Sequence, residues 1–311
     1  MTSYSASPES DAPQVSLSLM GRGIDLDATL TSGQSFSWKR TDDGRWRGWI
    51  DGRPCLVWRH DEALRAAGPE LTREAVVRYF GLDLPMRDIF ASFPTDPFLE
   101  RAREFAPGLR VLRQDPWETL CNFICSALKQ IVQIAQINAE LRRALGEPVE
   151  PPLLHAYPTA SRLALASEAQ LRECKLGFRA RHLFVAARQI AQGEVSLEKI
   201  GDMPTPEARE ELMRLQGVGE KVANCVLLFA YGRLEAFPID VWVERVLRQL
   251  YFKGSKRVKL ARMADFSRNH FGPYGGYAQQ FLFHWIRNDP RALAKEAKLP
   301  APPKPGKRIR R

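Results

Sequence analysis

The sequence predicts a mixed α+β protein, with an N-terminal twisted antiparallel sheet packed on an all-helical body. Three observations lead to that reading. Residues 34–39, 45–50 and 54–59 are short runs carrying Phe, Trp, Val and Ile, divided by turn-forming clusters. From Asp115 onward the apolar residues recur at helical rather than alternating spacing. Between the helical segments stand Gly, Pro and N-cap residues, which stop one helix and start the next.

In the first region the turn clusters are Thr41-Asp42-Asp43-Gly44 and Asp51-Gly52; the second is a strong hairpin signal. A three-strand meander is expected, with helices following from about Thr72. Asp115-Pro116 then reads as an N-cap with proline at the first helical position. It opens residues 117–145, apolar enough through Ile134 for a helix buried on most sides. Further helices are expected at 161–166, 168–174, 180–192, 206–215, 221–230, 241–252, 256–271 and 274–287. Pro-rich breaks at 147–152 and 300–305 mark a connector and the start of a tail. The organisation expected is a disordered tail (1–13), a sheet domain with helices (14–113), a helical domain (114–290) and a basic tail (291–311).

At 311 residues the chain is long enough for a substantial buried core, and it contains no run of eighteen apolar residues that would span a membrane. The Ser-, Pro- and acid-rich start lacks the apolar stretch of a secretory signal. Cys55, Cys121, Cys125, Cys174 and Cys225 are scattered without a CxxC pair, so zinc-ribbon and four-Cys cluster spacings are absent. Buried thiols in a reducing compartment are expected, either a bacterial cytoplasm with its nucleoid or a eukaryotic nucleus. Most of the formal net charge of +10 lies in residues 291–311, where eight Lys or Arg face one acid, Glu296. Such a tail is either a solvated end or an arm on a polyanion. If it is an arm on DNA, deleting it should weaken binding mainly at low salt and flatten the slope of log K against log salt. A titration series read by fluorescence anisotropy measures that slope, and an unchanged slope means the tail does not touch DNA.

The most informative stretch is residues 212–226, LMRLQGVGEKVANCV. One amphipathic helix runs into Gly217-Val218-Gly219, and another starts at once. Two glycines permit a tight turn and leave backbone N–H groups exposed at the new helix start, where the positive end of the dipole suits a phosphate oxygen. This is the sequence form of a helix-hairpin-helix, spanning about 206–230. Taken alone it is more often an ordinary helix–helix turn with a glycine C-cap. Its neighbourhood changes that balance. Lys221 lies in the first turn, where the dipole disfavours positive charge and, with partial burial, favours the neutral nucleophilic amine. Nineteen residues later Phe237-Pro238-Ile239-Asp240-Val241-Trp242 enters another helix with Asp240 at the N-cap. Alone, Asp240 is a cap and Lys221 a solvated lysine.

Together these segments resemble the helix-hairpin-helix DNA glycosylase superfamily, and further blocks resemble its eukaryotic-type 8-oxoguanine branch. Those blocks are Ser32-Gly33-Gln34-Ser35-Phe36-Ser37-Trp38, Arg113-Gln114-Asp115-Pro116, Phe123-Ile124-Cys125-Ser126, Gly177-Phe178-Arg179-Ala180-Arg181 and Gly272-Pro273-Tyr274-Gly275-Gly276-Tyr277-Ala278-Gln279. They span roughly residues 25–287 in the same order. The resemblance implies that Lys221 attacks the anomeric carbon, expels the base and forms a Schiff base whose β-elimination nicks the strand. Asp240 stabilises the positive charge developing on the sugar. Gly33 matches the glycine whose carbonyl accepts the N7 hydrogen of 8-oxoguanine. Cys225 and Phe283 match the pair that sandwiches the flipped base, and Gln279 the amide that reads its edge.

Departures from that branch cluster where the partner base is read. Leu128, Lys129 and Gln130 replace three consecutive asparagines, which would make Leu128 an apolar wedge in the space left by the extruded base. Gln133 replaces one cytosine-reading arginine; Arg179 keeps the other, beside Phe178 in place of a wedge tyrosine. Trp242 replaces a histidine next to the catalytic carboxylate, and Ile286 an aspartate beyond the stacking phenylalanine. The expected partner is damaged double-stranded DNA, bound by a monomer in a groove between helical subdomains. The chemistry requires no metal or organic cofactor, although the hairpin carbonyls could hold a monovalent cation. Two rivals remain: a glycosylase for alkylated or other damaged bases, and a non-catalytic DNA-binding hairpin protein. The second needs neither Lys221 nor Asp240.

Overall fold

The computed structural model describes residues 14–19, 23–149, 154–255, 257–289 and 291–292. The expected N-terminal tail and nearly all of the basic C-terminal tail lie outside them. The first elements are β1 (Gln14–Ser18), α1 (Leu26–Thr31), β2 (Lys39–Arg40), β3 (Trp46–Ile50), β4 (Arg53–His60) and β5 (Ala63–Ala67). They form a five-stranded antiparallel sheet in the order β1-β5-β4-β3-β2. The Asp51-Gly52 hairpin is present, with both residues at positive φ. One face of the sheet is packed by α2 (Arg73–Tyr79), which starts at the N-cap Thr72 and buries Val76 and Tyr79 over Ile50, Val57 and Leu64.

The sheet is larger than the meander expected, because β1 and β5 were not anticipated. β5 reads Ala-Leu-Arg-Ala-Ala, a composition with little strand propensity, and the residues flanking it on both sides specify it through pairing. In the other direction, residues 34–38 do not form a strand. The Gln34 side chain is fully buried; it donates to Thr29 O at 3.0 Å and Arg110 O at 2.7 Å, and accepts from Leu112 N at 2.8 Å. This run therefore ties the turn after α1 to the 110–112 segment instead of joining the ladder.

The helical body comprises α3 (Met86–Ala91), α4 (Pro97–Phe105), α5 (Pro116–Cys125), α6 (Ile131–Leu145), α7 (Ala160–Leu165), α8 (Glu168–Leu171), α9 (Arg179–Ala191), α10 (Leu197–Asp202), α11 (Thr205–Met213), α12 (Glu220–Phe229), α13 (Val241–Val246), α14 (Leu260–Phe271) and α15 (Gly275–Asn288). A short pairing of β6 (Pro148–Val149) with β7 (Leu154–His155) lies between α6 and α7. Asp115 caps α5 through Glu118 N at 2.7 Å, with Pro116 at the first position, as the sequence predicts; such a cap contributes about 1 kcal/mol. Residues Thr119 to Cys125 of α5 are all buried, and α12 packs against them.

Several helix boundaries differ from expectation; the helices expected at 168–174 and 241–252 pass into π-helical turns at Arg172–Leu176 and Leu247–Tyr251. Residues 117–145 are two helices, not one, separated by residues 126–130. The Ser126 hydroxyl turns back to Phe123 O at 2.7 Å, Leu128 adopts φ 55°, and Gln133 Oε1 accepts from Gln130 N at 3.0 Å to start α6. No Gly or Pro marks this break, so apolar periodicity runs straight across it. The helix expected from 256 begins at Leu260.

Candidate active site

α12 carries Lys221 in its first turn, and α5 supplies what the amine rests on. Lys221 Nζ donates to Ser126 Oγ at 2.9 Å and lies 5.1 Å from the centroid of the Phe123 ring. That ring is held in turn by Phe229, stacked at 5.6 Å, and Phe36, edge-on at 5.7 Å. Because the Ser126 hydroxyl proton is already given to Phe123 O, the oxygen can only accept from the amine. The contact fixes one N–H of Lys221 without competing for the nitrogen lone pair.

Asp240 caps α13. Its Oδ1 accepts from Trp242 N at 3.0 Å and Val243 N at 2.8 Å, so capping uses one carboxylate oxygen. Burial raises its pKa above the usual carboxylate range, opposed by the Val243 amide, the Lys221 charge and the Trp242 amide. Cys225, one turn along α12 from Lys221, is buried, and burial pushes its thiol up to about 11; Lys221 opposes that shift and Asp240 reinforces it. The Lys221 and Asp240 charges therefore both reach Cys225. Cys225 stays a neutral, polarisable wall beside a charged pair.

The turn after α1 and helix α15 form another side. Gly33 has φ 76°, and a Cβ there would lie 2.6 Å from Ile131 Cδ1 and 3.3 Å from Phe283 Cε1, so no other residue fits without displacing them. Gln279, four residues before Phe283, is buried, and its Oε1 has no hydrogen-bond partner among the described residues. An orphaned buried amide oxygen costs about 1–3 kcal/mol unless a ligand or water meets it. Trp242 is half-buried with the Arg245 guanidinium 4.9 Å from its ring.

At the hairpin, Val218 is buried and pins the turn, while Gly217 and Gly219 are exposed. Only Gly217 uses positive φ, 84°, with His182 packed against its Cα; Gly219 is an extended N-cap with φ −104° and open space around it. The tight turn the two glycines permit is therefore made with the left-handed region at Gly217 alone. No side chain caps α12, so its first-turn N–H groups face outward unclaimed.

Residues 16–120 match the profile of the 8-oxoguanine DNA glycosylase N-terminal domain, and residues 121–268 that of the HhH-GPD superfamily of base excision DNA repair proteins. A probable N-glycosylase/DNA lyase of Methanothermobacter thermautotrophicus is 30% identical over 297 residues, covering 85% of this chain and 94% of the relative. The N-glycosylase/DNA lyase of Arabidopsis thaliana is also 30% identical, over 86% of this chain and 78% of its own. The chain belongs to the HhH-GPD superfamily, in its 8-oxoguanine DNA glycosylase branch. A solved 8-oxoguanine glycosylase/lyase of Clostridium acetobutylicum, in complex with DNA carrying cytosine opposite 8-oxoguanine, superimposes with a TM-score of 0.81 at 32% identity, covering 86% of this chain and 93% of that one.

Within this family member, the departures at residues 128–133 lie on the turn between α5 and α6 and in the first turn of α6, next to Phe178 and Arg179. Leu128 is 91% exposed at the tip of the 126–130 turn, with Lys129 half-exposed beside it and Gln130 exposed at the start of α6. Gln133 is engaged in capping α6. Arg179 is nearly buried: its Nε donates to Ala127 O at 2.6 Å, Nη2 donates to the same oxygen, and Nη1 donates to Leu176 O at 3.2 Å. Its guanidinium also lies 4.3 Å from the ring centroid of Phe178, which is 51% exposed. Arg179 thus clamps the Leu128 turn to the Phe178 turn. Ile286 is a core residue of α15.

Sequence reasoning did not single out Ser126 or Phe123 as companions of Lys221, although both stand in a motif block it quoted.

Proposed function

We propose that this protein is a bifunctional DNA glycosylase/AP lyase of base excision repair, removing an oxidised purine, 8-oxoguanine, and nicking the strand by β-elimination. The observation that carries this reading is Lys221 in the first turn of α12, its amine held by Ser126 Oγ beside the Phe123 ring, with the Asp240 carboxylate at the N-cap of α13 close enough to feel its charge. A duplex-binding module has no need of a nucleophile held on an aromatic ring near a half-buried carboxylate. The family profile over residues 16–120 favours 8-oxoguanine over an alkylated base.

In this mechanism the hairpin amides and helix dipole of α12 bind a backbone phosphate of double-stranded DNA, and Leu128 fills the stack that the extruded nucleotide leaves. The flipped base lies between the Cys225 wall and Phe283, with its edge toward Gln279 and its N7–H toward Gly33. Lys221 Nζ forms a bond to C1′ as the glycosidic bond breaks and its electron pair leaves with the base. Asp240 stabilises the positive charge on the sugar during that exchange. The departing base takes up a proton, the secondary ammonium formed at C1′ loses one, and protonation of the ring oxygen O4′ opens the sugar to the iminium; removal of a C2′ proton then expels the 3′ phosphate. Incubating the protein with an 8-oxoguanine duplex and borohydride tests the reading: a covalent protein–DNA adduct is expected, and its absence on damaged duplexes of every kind would refute it.

The partner-base surface leads to a second expectation. Gln133 caps a helix, Leu128 offers no hydrogen bond, and Arg179 is engaged with two backbone carbonyls. A lost charge-assisted bond to a base edge removes about 1–3 kcal/mol of discrimination. Single-turnover rates for 8-oxoguanine opposite cytosine, thymine, guanine and adenine should fall within about tenfold of one another. A cytosine preference of several hundredfold would mean that Arg179 leaves its clamp to read the partner.

A further inference from the structure

Four successive backbone carbonyls follow one another through the turn after α1, and three of them are engaged by long side chains. Thr31 O accepts from Arg287 Nη2 at 2.7 Å, Ser32 O from Gln280 Nε2 at 3.0 Å, and Gln34 O from Gln114 Nε2 at 2.8 Å. No described residue donates to Gly33 O. Ser32, Gln34 and Gln280 are all essentially excluded from solvent. The braces come from the same elements that build the pocket. Gln280 and Arg287 stand on α15, the helix that carries Gln279 and Phe283. Gln114 precedes α5, and its own N–H donates to Phe229 O at the end of α12, at 2.8 Å.

We propose that Gln280 and Gln114 are positioning residues for base discrimination, holding the peptide units on either side of Gly33 so that its carbonyl alone stays open and fixed relative to Phe283 and Gln279. The assignment rests on the reading of this site as an 8-oxoguanine pocket. Guanine presents a lone pair at N7, which a carbonyl oxygen repels, whereas 8-oxoguanine presents an N–H there. A single acceptor separates the two bases only if it cannot rotate away. Hydrogen bonds weaken steeply with misalignment, and a site held about 1 Å too loosely loses its selectivity. The Gly33 peptide unit has no side chain to anchor it, so the restraint has to come from its neighbours. Gln280 supplies it from the helix that also sets the position of the base.

The test uses Gln280→Met, which keeps chain length and removes the donor, in the full-length protein. Single-turnover excision of 8-oxoguanine should fall about tenfold, the effect of misaligning one hydrogen bond. Competition by the free bases 8-oxoguanine and guanine should show a preference narrowed by a similar factor. Cleavage of the same duplex carrying a preformed abasic site, which needs no base contact, should change less than about twofold. Gln114→Met, on the other flank, should give the same signature and carries the test if Gln280→Met does not fold. Equal losses on the 8-oxoguanine and abasic duplexes would make these residues merely structural and overturn the proposal, as would undiminished 8-oxoguanine excision. Wild-type protein that cleaves abasic DNA but leaves 8-oxoguanine in place would instead remove the substrate reading itself, and this assignment with it.

Discussion

Lys221→Gln is expected to abolish borohydride trapping and to lower base release by about a thousandfold or more, the range seen when a covalent nucleophile is removed. The substitution is chosen so that the fold survives. Glutamine is polar, uncharged and one bond shorter than lysine, so it fits the same half-buried place, and the aromatic packing of Phe123, Phe36 and Phe229 is untouched. What disappears is a basic lone pair, since the amide nitrogen is delocalised into its carbonyl. Binding to duplex DNA should persist, because the hairpin amides at the start of α12 belong to the backbone. Denaturing electrophoresis after borohydride treatment reads the adduct, and anisotropy reads the binding. An adduct that survives in the variant would assign the nucleophile to another amine.

Asp240→Asn separates the two jobs of that carboxylate. Asparagine keeps an Oδ1 that accepts from Trp242 N and Val243 N, so the start of α13 is retained. The charge opposite the sugar is lost, and in a water-poor site that is commonly worth several kcal/mol, or about a hundred- to ten-thousandfold in base release. Burial, the largest influence on Asp240, raises its pKa above the usual carboxylate range. Wild-type activity is therefore expected above that raised pKa and lost as pH falls through it, at a higher pH than for an exposed aspartate. The variant should lack this acid limb. For stability the sign is opposite: a carboxyl whose folded pKa exceeds its unfolded one favours the fold fully only below the unfolded pKa, and that contribution is lost as pH rises through the folded value. At neutral pH the charged form is thus a burden on the native state, and Asp240→Asn should unfold at the same or a higher temperature. Turnover within a few-fold of wild type would leave Asp240 a helix cap and nothing more.

The candidate site around Lys221 and Asp240 was legible because its signals are local. Gly217-Val218-Gly219 and the lysine two residues on define a helix start within one turn of chain, and Asp240 announces its cap through the Pro238 before it and the helix after it. Ordered blocks from Ser32 to Gln279 placed the family. The turn at 126–130 was not legible as a break, since these residues contain no Gly or Pro and the positive φ falls on Leu128. Gln133 was readable as a departure from an arginine, but not as the residue that caps α6.

By itself, the sequence determined the α+β class, the hairpin, the caps at Asp115 and Asp240, and the candidate nucleophile, because helix starts and stops depend on a few neighbouring residues. Only the tertiary structure decided that β5 is a strand, that Lys221 rests on Ser126 from 95 positions away, and that Gln280 braces Ser32 across 248. Those contacts leave no periodic trace, since a buried glutamine in a helix looks the same in sequence whether or not it meets a carbonyl. The pocket exists because α5, α12 and α15 pack around a shared core that brings distant polar groups within hydrogen-bonding reach, where each buried group must find a partner or be left for a ligand.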